Sequence, residues 1–92
     1  MEMSFKLIEN ILSSKNRVRI IKYLMVKEHA NASLISRELN MHYLNVKEHL
    51  EFLEKNGIVI KKKYGRITIY SLNNCNPLVY SLKKFLEEVG EI

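Results

Sequence analysis

Apolar residues recur along most of the chain at spacings of three and four, and in two places they gather into short β-branched runs. The clearest helical pattern lies in residues 33–57, SLISRELNMHYLNVKEHLEFLEKNG. Ile35 and Leu39 are four apart and share a face, which predicts a helix from about Ser33 to Leu39. Val46, Leu50 and Leu53 share a face of a second helix, from about Tyr43 to Asn56. Asn40-Met41-His42 makes the turn between them. Asn accepts the left-handed backbone of a reversal, and Met41 is expected to plug the space between the helices. Ser36, small and next to Ile35, allows a close crossing. Gly57 then stops the second helix. Two helices joined so tightly form a helix-turn-helix pattern, whose second helix enters the major groove of DNA. A plain packing hairpin fits the same residues, so this stretch alone leaves both readings open.

The flanks extend the pattern. In residues 4–12, Phe5, Ile8, Ile11 and Leu12 line one face of a short helix that Ser4 could cap. Ser13 or Ser14 caps a second helix ending near Lys27. Its apolar side carries Val18, Ile21 and Met25, with Ile20 and Leu24 beside them. Arg17, Arg19 and Lys22 point elsewhere and read as a solvated face. His29-Ala30-Asn31 reads as a loop. Ala32 either opens a short strand or leads into Ser33, a good N-cap. Ile58-Val59-Ile60 and Ile67-Thr68-Ile69-Tyr70 read as two strands of a hairpin, with KKKYGR as a basic tip and Gly65 in the turn. After a polar loop at 73–76, Asn76-Pro77 starts a last helix over 77–89, and Gly90 can end it. The expected fold is α+β and mostly helical, in a single domain over residues 1–92.

The last helix has a broad apolar stripe of Leu78, Leu82, Phe85, Leu86 and Val89. It either packs on the first helix within one chain or forms a dimer interface with Phe5, Ile8, Ile11 and Leu12. A small domain already has three helices and a hairpin for its core, which favours the dimer. Two-fold symmetry would suit a pseudo-palindromic DNA site.

Charge changes this picture. Lys61, Lys62, Lys63 and Arg66, with no acid nearby, give residues 58–72 a net +4 of the chain's +5. Lysines that merely protect an edge hairpin are the competing reading. A basic hairpin directly after a helix-turn-helix is instead the layout of a winged helix, whose wing, with Lys61, Lys62, Lys63, Tyr64 and Arg66, lies along the phosphate backbone or dips into the minor groove. There is no Asp, every acid is Glu, and Cys75 is the single cysteine. No internal disulfide can form, and a reducing cytoplasm is expected. No apolar run spans a bilayer, and the N-terminus lacks signal-peptide features. With three glycines and no phosphate-cradling loop, an enzyme is not expected.

The order of motifs resembles the ArsR-like winged-helix repressors of bacteria and archaea. The resemblance rests on SSKNRVRIIKYLM, LISRELNMHYLNVKEHLEFLEKNGIV and KKKYGRITIYSL, and covers nearly the whole chain. It implies a homodimer through the first and last helices. It also implies base reading by Tyr43, Asn45, Lys47 and Glu48, with His42 at the helix cap. The residue types agree: Asn can bind adenine bidentately, Lys can bind guanine and Glu can accept from cytosine. Glu48 either specifies a base or pairs with a nearby cation, and Leu44 either touches a thymine methyl or packs. His49 stands where the family often has His, and reads as packed or phosphate-contacting. The chain departs from the metal sensors: SLISRELN has no Cys, and the terminal helix has neither His nor Asp. Cys75 and the three histidines show no zinc-ligand spacing, so neither metal nor cofactor is expected. Cys75 is either a redox switch or a plain loop residue.

The expected function is a dimeric, sequence-specific regulator on double-stranded DNA, a repressor that blocks polymerase sterically. No effector is indicated. The alternatives are a winged-helix protein-docking module of a transcription or replication assembly, and a non-specific chromatin-type binder.

Overall fold

The computed structural model describes residues 2–92, with side chains from Lys6 onward. Helices α1 (Glu2–Leu12), α2 (Lys15–Lys27), α3 (Ala32–Leu39) and α4 (Tyr43–Lys55) come first. Strands β1 (Val59–Tyr64) and β2 (Ile67–Leu72) follow, and α5 (Pro77–Glu88) closes the chain. Helices α2, α3 and α5 begin at caps with short polar side chains. Ser14, not Ser13, caps α2, its Oγ accepting from Arg17 N at 3.2 Å. Helix α1 begins ahead of Ser4, which is therefore not its cap. Asn31 caps α3, accepting from Leu34 N at 2.7 Å, so Ser33 lies inside the helix. Asn76 caps α5 as expected, accepting from Leu78 N at 2.8 Å.

Three helices stop in the same way. Asn40, Gly57 and Gly90 have φ of 55°, 77° and 78°. Behind each, the next N–H reaches back five residues: Met41 to Ser36 (2.9 Å), Ile58 to Leu53 (2.9 Å) and Glu91 to Leu86 (2.8 Å). This is the Schellman arrangement, which satisfies carbonyls the helix leaves free. At Asn40 it turns α3 into α4. Ser36 does more than leave room there: its hydroxyl donates to Met41 O at 2.6 Å.

The core runs through the centre of these elements. Ile20, Ile21 and Leu24 of α2, Ile35 of α3, and Val46, Leu50 and Leu53 of α4 are buried together with Ile58 and Tyr70. The stripe predicted for α4 is the one it buries. Burying a side chain of this kind contributes about 1.5–3 kcal/mol.

The hairpin is longer than expected. Its strands pair antiparallel from Val59↔Leu72 to Tyr64↔Ile67, which leaves only Gly65-Arg66 in the turn, with Gly65 at φ 65°. The lysines are thus not a tip. Lys61 and Lys63 share the face of buried Val59, and Lys62 is on the other face with Ile60 and Tyr64. A backbone bridge adds a third edge. Ala30 N donates to Tyr70 O (3.1 Å) and Tyr70 N to Ala30 O (2.8 Å). The strand pairing weighed for Ala32 therefore occurs two residues earlier, in what read as a loop.

Helix α5 is fastened at its start, where Asn73 Nδ2 and Asn76 Nδ2 both donate to Gly57 O at 3.0 Å. Two residues expected at a dimer interface are core residues of this chain. Ile11 is 1% and Leu86 7% exposed, and both join Val79 in the interior. Ile8, Leu78 and Leu82 are half-buried, whereas Leu12, Phe85 and Val89 are exposed. The side chain of Phe5 lies outside the described residues.

The backbone at Asn40 makes a specific demand. Asn40→Gly should leave stability nearly unchanged, whereas Asn40→Val should cost about 1–2 kcal/mol, because a branched Cβ is disfavoured at positive φ. Urea unfolding of the two variants tests this; equal stabilities would mean that the backbone conformation at residue 40 is not limiting.

Candidate nucleic-acid interface

Helix α4 buries one stripe and exposes the first turn of the other. His42 precedes it, its Nδ1 accepting from Leu44 N at 3.2 Å. His42, Tyr43, Leu44 and Asn45 are exposed, and Lys47 is half-buried. No acid occurs in this turn. Farther along, Glu48, Glu51 and Glu54 line a shallow cleft with Phe52, Lys55 and Lys61. Among the described residues Glu48 makes no ion pair.

A second cleft lies between α4, the hairpin and the start of α3. Tyr43 and Lys47 line it from α4, Arg66, Ile67 and Thr68 from the hairpin, and Asn31, Ala32 and Ser33 from α3. The fold thus brings Tyr43, Lys47 and Arg66 together. It puts Lys61 beside the α4 glutamates instead. Lys62, Lys63 and Tyr64 are exposed along β1.

The cations of α2, expected to form a solvated face, are fastened to other elements. Arg17 donates from Nε to His49 Nδ1 at 3.2 Å and from Nη1 to Asn10 O at 2.7 Å. Its guanidinium lies over the Phe52 ring, 3.7 Å from the centroid. One side chain therefore connects α1, α2 and α4. Arg19 Nη2 donates to Leu39 O at 2.7 Å, at the end of α3 where cations are favoured. Lys22 pairs with Glu91 at 2.6 Å. The Tyr23 hydroxyl donates to Glu38 Oε1 at 2.6 Å. Burial, then the bond to Glu38, push the Tyr23 phenol up to about 12. No periodicity marks Arg17 for this role, because its partner His49 is 32 residues away.

Residues 14–61, which span α2 to the start of β1, match a family model described as the bacterial regulatory protein, arsR family. The chain belongs to the ArsR family. Solved structures show the same fold. HlyU from Vibrio cholerae N16961 superposes with a TM-score of 0.80 at 17% identity, over 96% of this chain and 92% of that one. A transcriptional regulator homologue from Pyrococcus horikoshii OT3 gives 0.72 at 24% identity, over 98% and 92%. The homodimeric winged helix-turn-helix DNA-binding domain Mb0332 from Mycobacterium bovis gives 0.73 at 18% identity, over 91% and 75%. No curated protein matches the sequence. The ArsR-family fold identifies α3 and α4 as the helix-turn-helix and the β1–β2 hairpin as the wing. Among the described residues no three His, Cys, Asp or Glu side chains gather where a metal could bind.

His49 gives this ArsR-family domain a pH dependence. Its pKa is held below the ordinary 6.5, first by burial and then by the Arg17 charge, with Glu48 opposing. As pH falls through the unfolded value, the unfolded chain takes up a proton that the folded site excludes. Stability should therefore decline below about pH 6.5 and level off once His49 protonates in place. Comparing unfolding free energies at about pH 7.5 and about pH 5.5, wild type should lose more than His49→Gln. Equal losses would show that His49 is not the group responsible.

Proposed function

We propose that this ArsR-family protein is a sequence-specific transcriptional regulator, a repressor that binds double-stranded DNA as a homodimer. The observation that carries this reading is the meeting of Tyr43 and Lys47 from α4 with Arg66 from the wing in one cleft. Two cations from separate elements there face the same volume, as a phosphate backbone beside a major groove requires.

In this reading the first turn and a half of α4 enters the groove. Asn45 pairs with adenine, Lys47 with guanine, and Glu48 accepts from cytosine. His42 and Tyr43 approach the backbone at the groove edge, where the positive end of the helix dipole also points. Leu44, 62% exposed, meets a thymine methyl. The glutamates beyond keep the rest of α4 away from phosphate. Lys62, Lys63, Tyr64 and Arg66 lie along the strand backbone. Lys61, turned toward the α4 acids, contributes least. Exposed Leu12, Phe85 and Val89, with Tyr80 at 61% exposure, form the interface between protomers. Half-buried Ile8, Leu78 and Leu82 border it. Bound in this way, the dimer excludes polymerase from a promoter. It works in the cytoplasm; among the described residues no helix is long and apolar enough to cross a membrane.

One observation favours a second reading, a protein-docking module. Ile60, Tyr64 and Ile67 share the outer face of the wing and are 38%, 61% and 54% exposed. Fluorescence anisotropy separates the two. Duplex from upstream of the protein's own gene should bind more tightly than scrambled duplex at physiological salt, whereas a docking module binds neither.

Two sets of variants refine the test. Asn45→Ala should lose preference at one base position, by roughly 1–3 kcal/mol. Arg66→Ala should weaken binding to all sequences alike and lower the salt slope by about 1. Loss of preference with Arg66→Ala would exchange their roles. Sedimentation should show a dimer at micromolar concentration and a monomer for Phe85→Glu; a monomeric wild type would remove the interface from the mechanism.

A further inference from the structure

A second cavity shares no residue with the α4–wing cleft. It has a volume of about 270 Å³ and lies where the end of α2, the end of β2 and α5 meet. Leu24, Met25 and Leu72 are its buried apolar part. Half-buried Ser71 and, at its open rim, the exposed Glu28, His29, Asn74 and Lys83 provide its polar part. Among the described residues, none of these five side chains takes part in a hydrogen bond or an ion pair. A carboxylate and an ammonium thus line one small cavity without meeting.

The backbone here is also unusual. Glu28 has φ 73° and ψ −45°, and His29 N donates to Lys27 O at 2.8 Å. This is a γ-turn of positive φ, the rare and strained kind. Glycine would suit it better, yet the position holds a glutamate whose carboxylate lines the cavity. Strain of this sort gathers at ligand sites. The next residue, Ala30, pairs with Tyr70 of the wing, and Asn31 caps α3. The cavity wall therefore continues directly into both parts of the DNA-binding unit.

We infer that this cavity binds a small α-amino acid with an aliphatic or thioether side chain. Its carboxylate meets Lys83 and His29, its ammonium meets Glu28, and Ser71 and Asn74 supply the remaining hydrogen bonds. The side chain rests on Leu24, Met25 and Leu72. A simple anion would face the Glu28 carboxylate and a simple cation would face Lys83, so a ligand with both charges matches the rim better than either. The volume suits a molecule of leucine's size and is below the usual range for larger ligands, about 300–1,000 Å³.

The test needs no DNA and so stands apart from the regulator reading. Isotope-labelled protein is titrated with L-leucine and L-methionine while backbone amide signals are followed by NMR. Controls are 3-methylbutylamine and 4-methylpentanoate, which carry leucine's side chain with one charge each. Saturable shifts are expected at Glu28, His29, Ser71, Asn74 and Lys83 for at least one of the two amino acids. The single-charge analogues should bind at least about tenfold more weakly. Lys83→Gln and Glu28→Gly should each weaken binding by about tenfold or more. Glu28→Gly should at the same time raise the melting temperature by a few degrees, roughly, as the strained turn relaxes. No saturable shift up to about 10 mM for either amino acid, analogues that bind equally well, or full affinity in both variants would overturn the assignment.

Discussion

Everything in this domain follows from the double duty of α4. Val46, Leu50 and Leu53 must all be removed from water, so the helix can rotate only at the expense of several kcal/mol of burial. That constraint fixes which residues point outward. His42, Tyr43, Leu44 and Asn45 are displayed because the opposite stripe is committed to Ile35, Ile58 and the rest of the core. The same burial sets the start of the wing, since Ile58 and Val59 enter the core immediately after the helix ends. A surface displayed this way is as rigid as the packing behind it.

Arg17 adds orientation to that burial. A guanidinium is planar: its Nε–H can serve the His49 ring and its Nη1 the Asn10 carbonyl while its face covers Phe52. A lysine ammonium at the same place could not combine a planar stack with two directed bonds. The bond to His49 is part-buried, where cation–π attraction and charge-assisted bonds exceed their values in open water, whereas the bond to Asn10 is exposed. Arg17 acts on the flank of α4 that the apolar stripe does not hold. Arg19 and Tyr23 do the same for α3.

The order of elements was legible in the sequence because each is periodic or punctuated. The α4 stripe is a regular repeat, Asn76-Pro77 is an unambiguous start, and Asn40 and Gly57 occupy positions where few other residues fit. Tertiary pairing was not. Ala30 shows no strand pattern, since one bridge needs one extended residue. The lysines of β1 looked like a turn because β propensity is low for Lys, yet the strand persists where cross-strand bonds and Tyr70 hold it. Amphipathic spacing also overstated the free surface of α1 and α5: Ile11 and Leu86 fit an exposed stripe equally well but lie inward. The exposed start of α4 and the basic hairpin could be read directly. The convergence of Lys47 with Arg66 needed the fold, as those residues are far apart in the chain.

The Ala30–Tyr70 bridge joins the leader of the helix-turn-helix to the middle of β2 by two hydrogen bonds. Wing and helix pair are therefore one mechanical piece, not an arm hinged to a body. A chimera that imported another family member's wing at its sequence boundaries would cut this joint and leave the N–H and C=O on both sides of it, four backbone groups, to find new partners. The portable unit begins at the residues just before α3, some thirty positions ahead of the hairpin it holds in place.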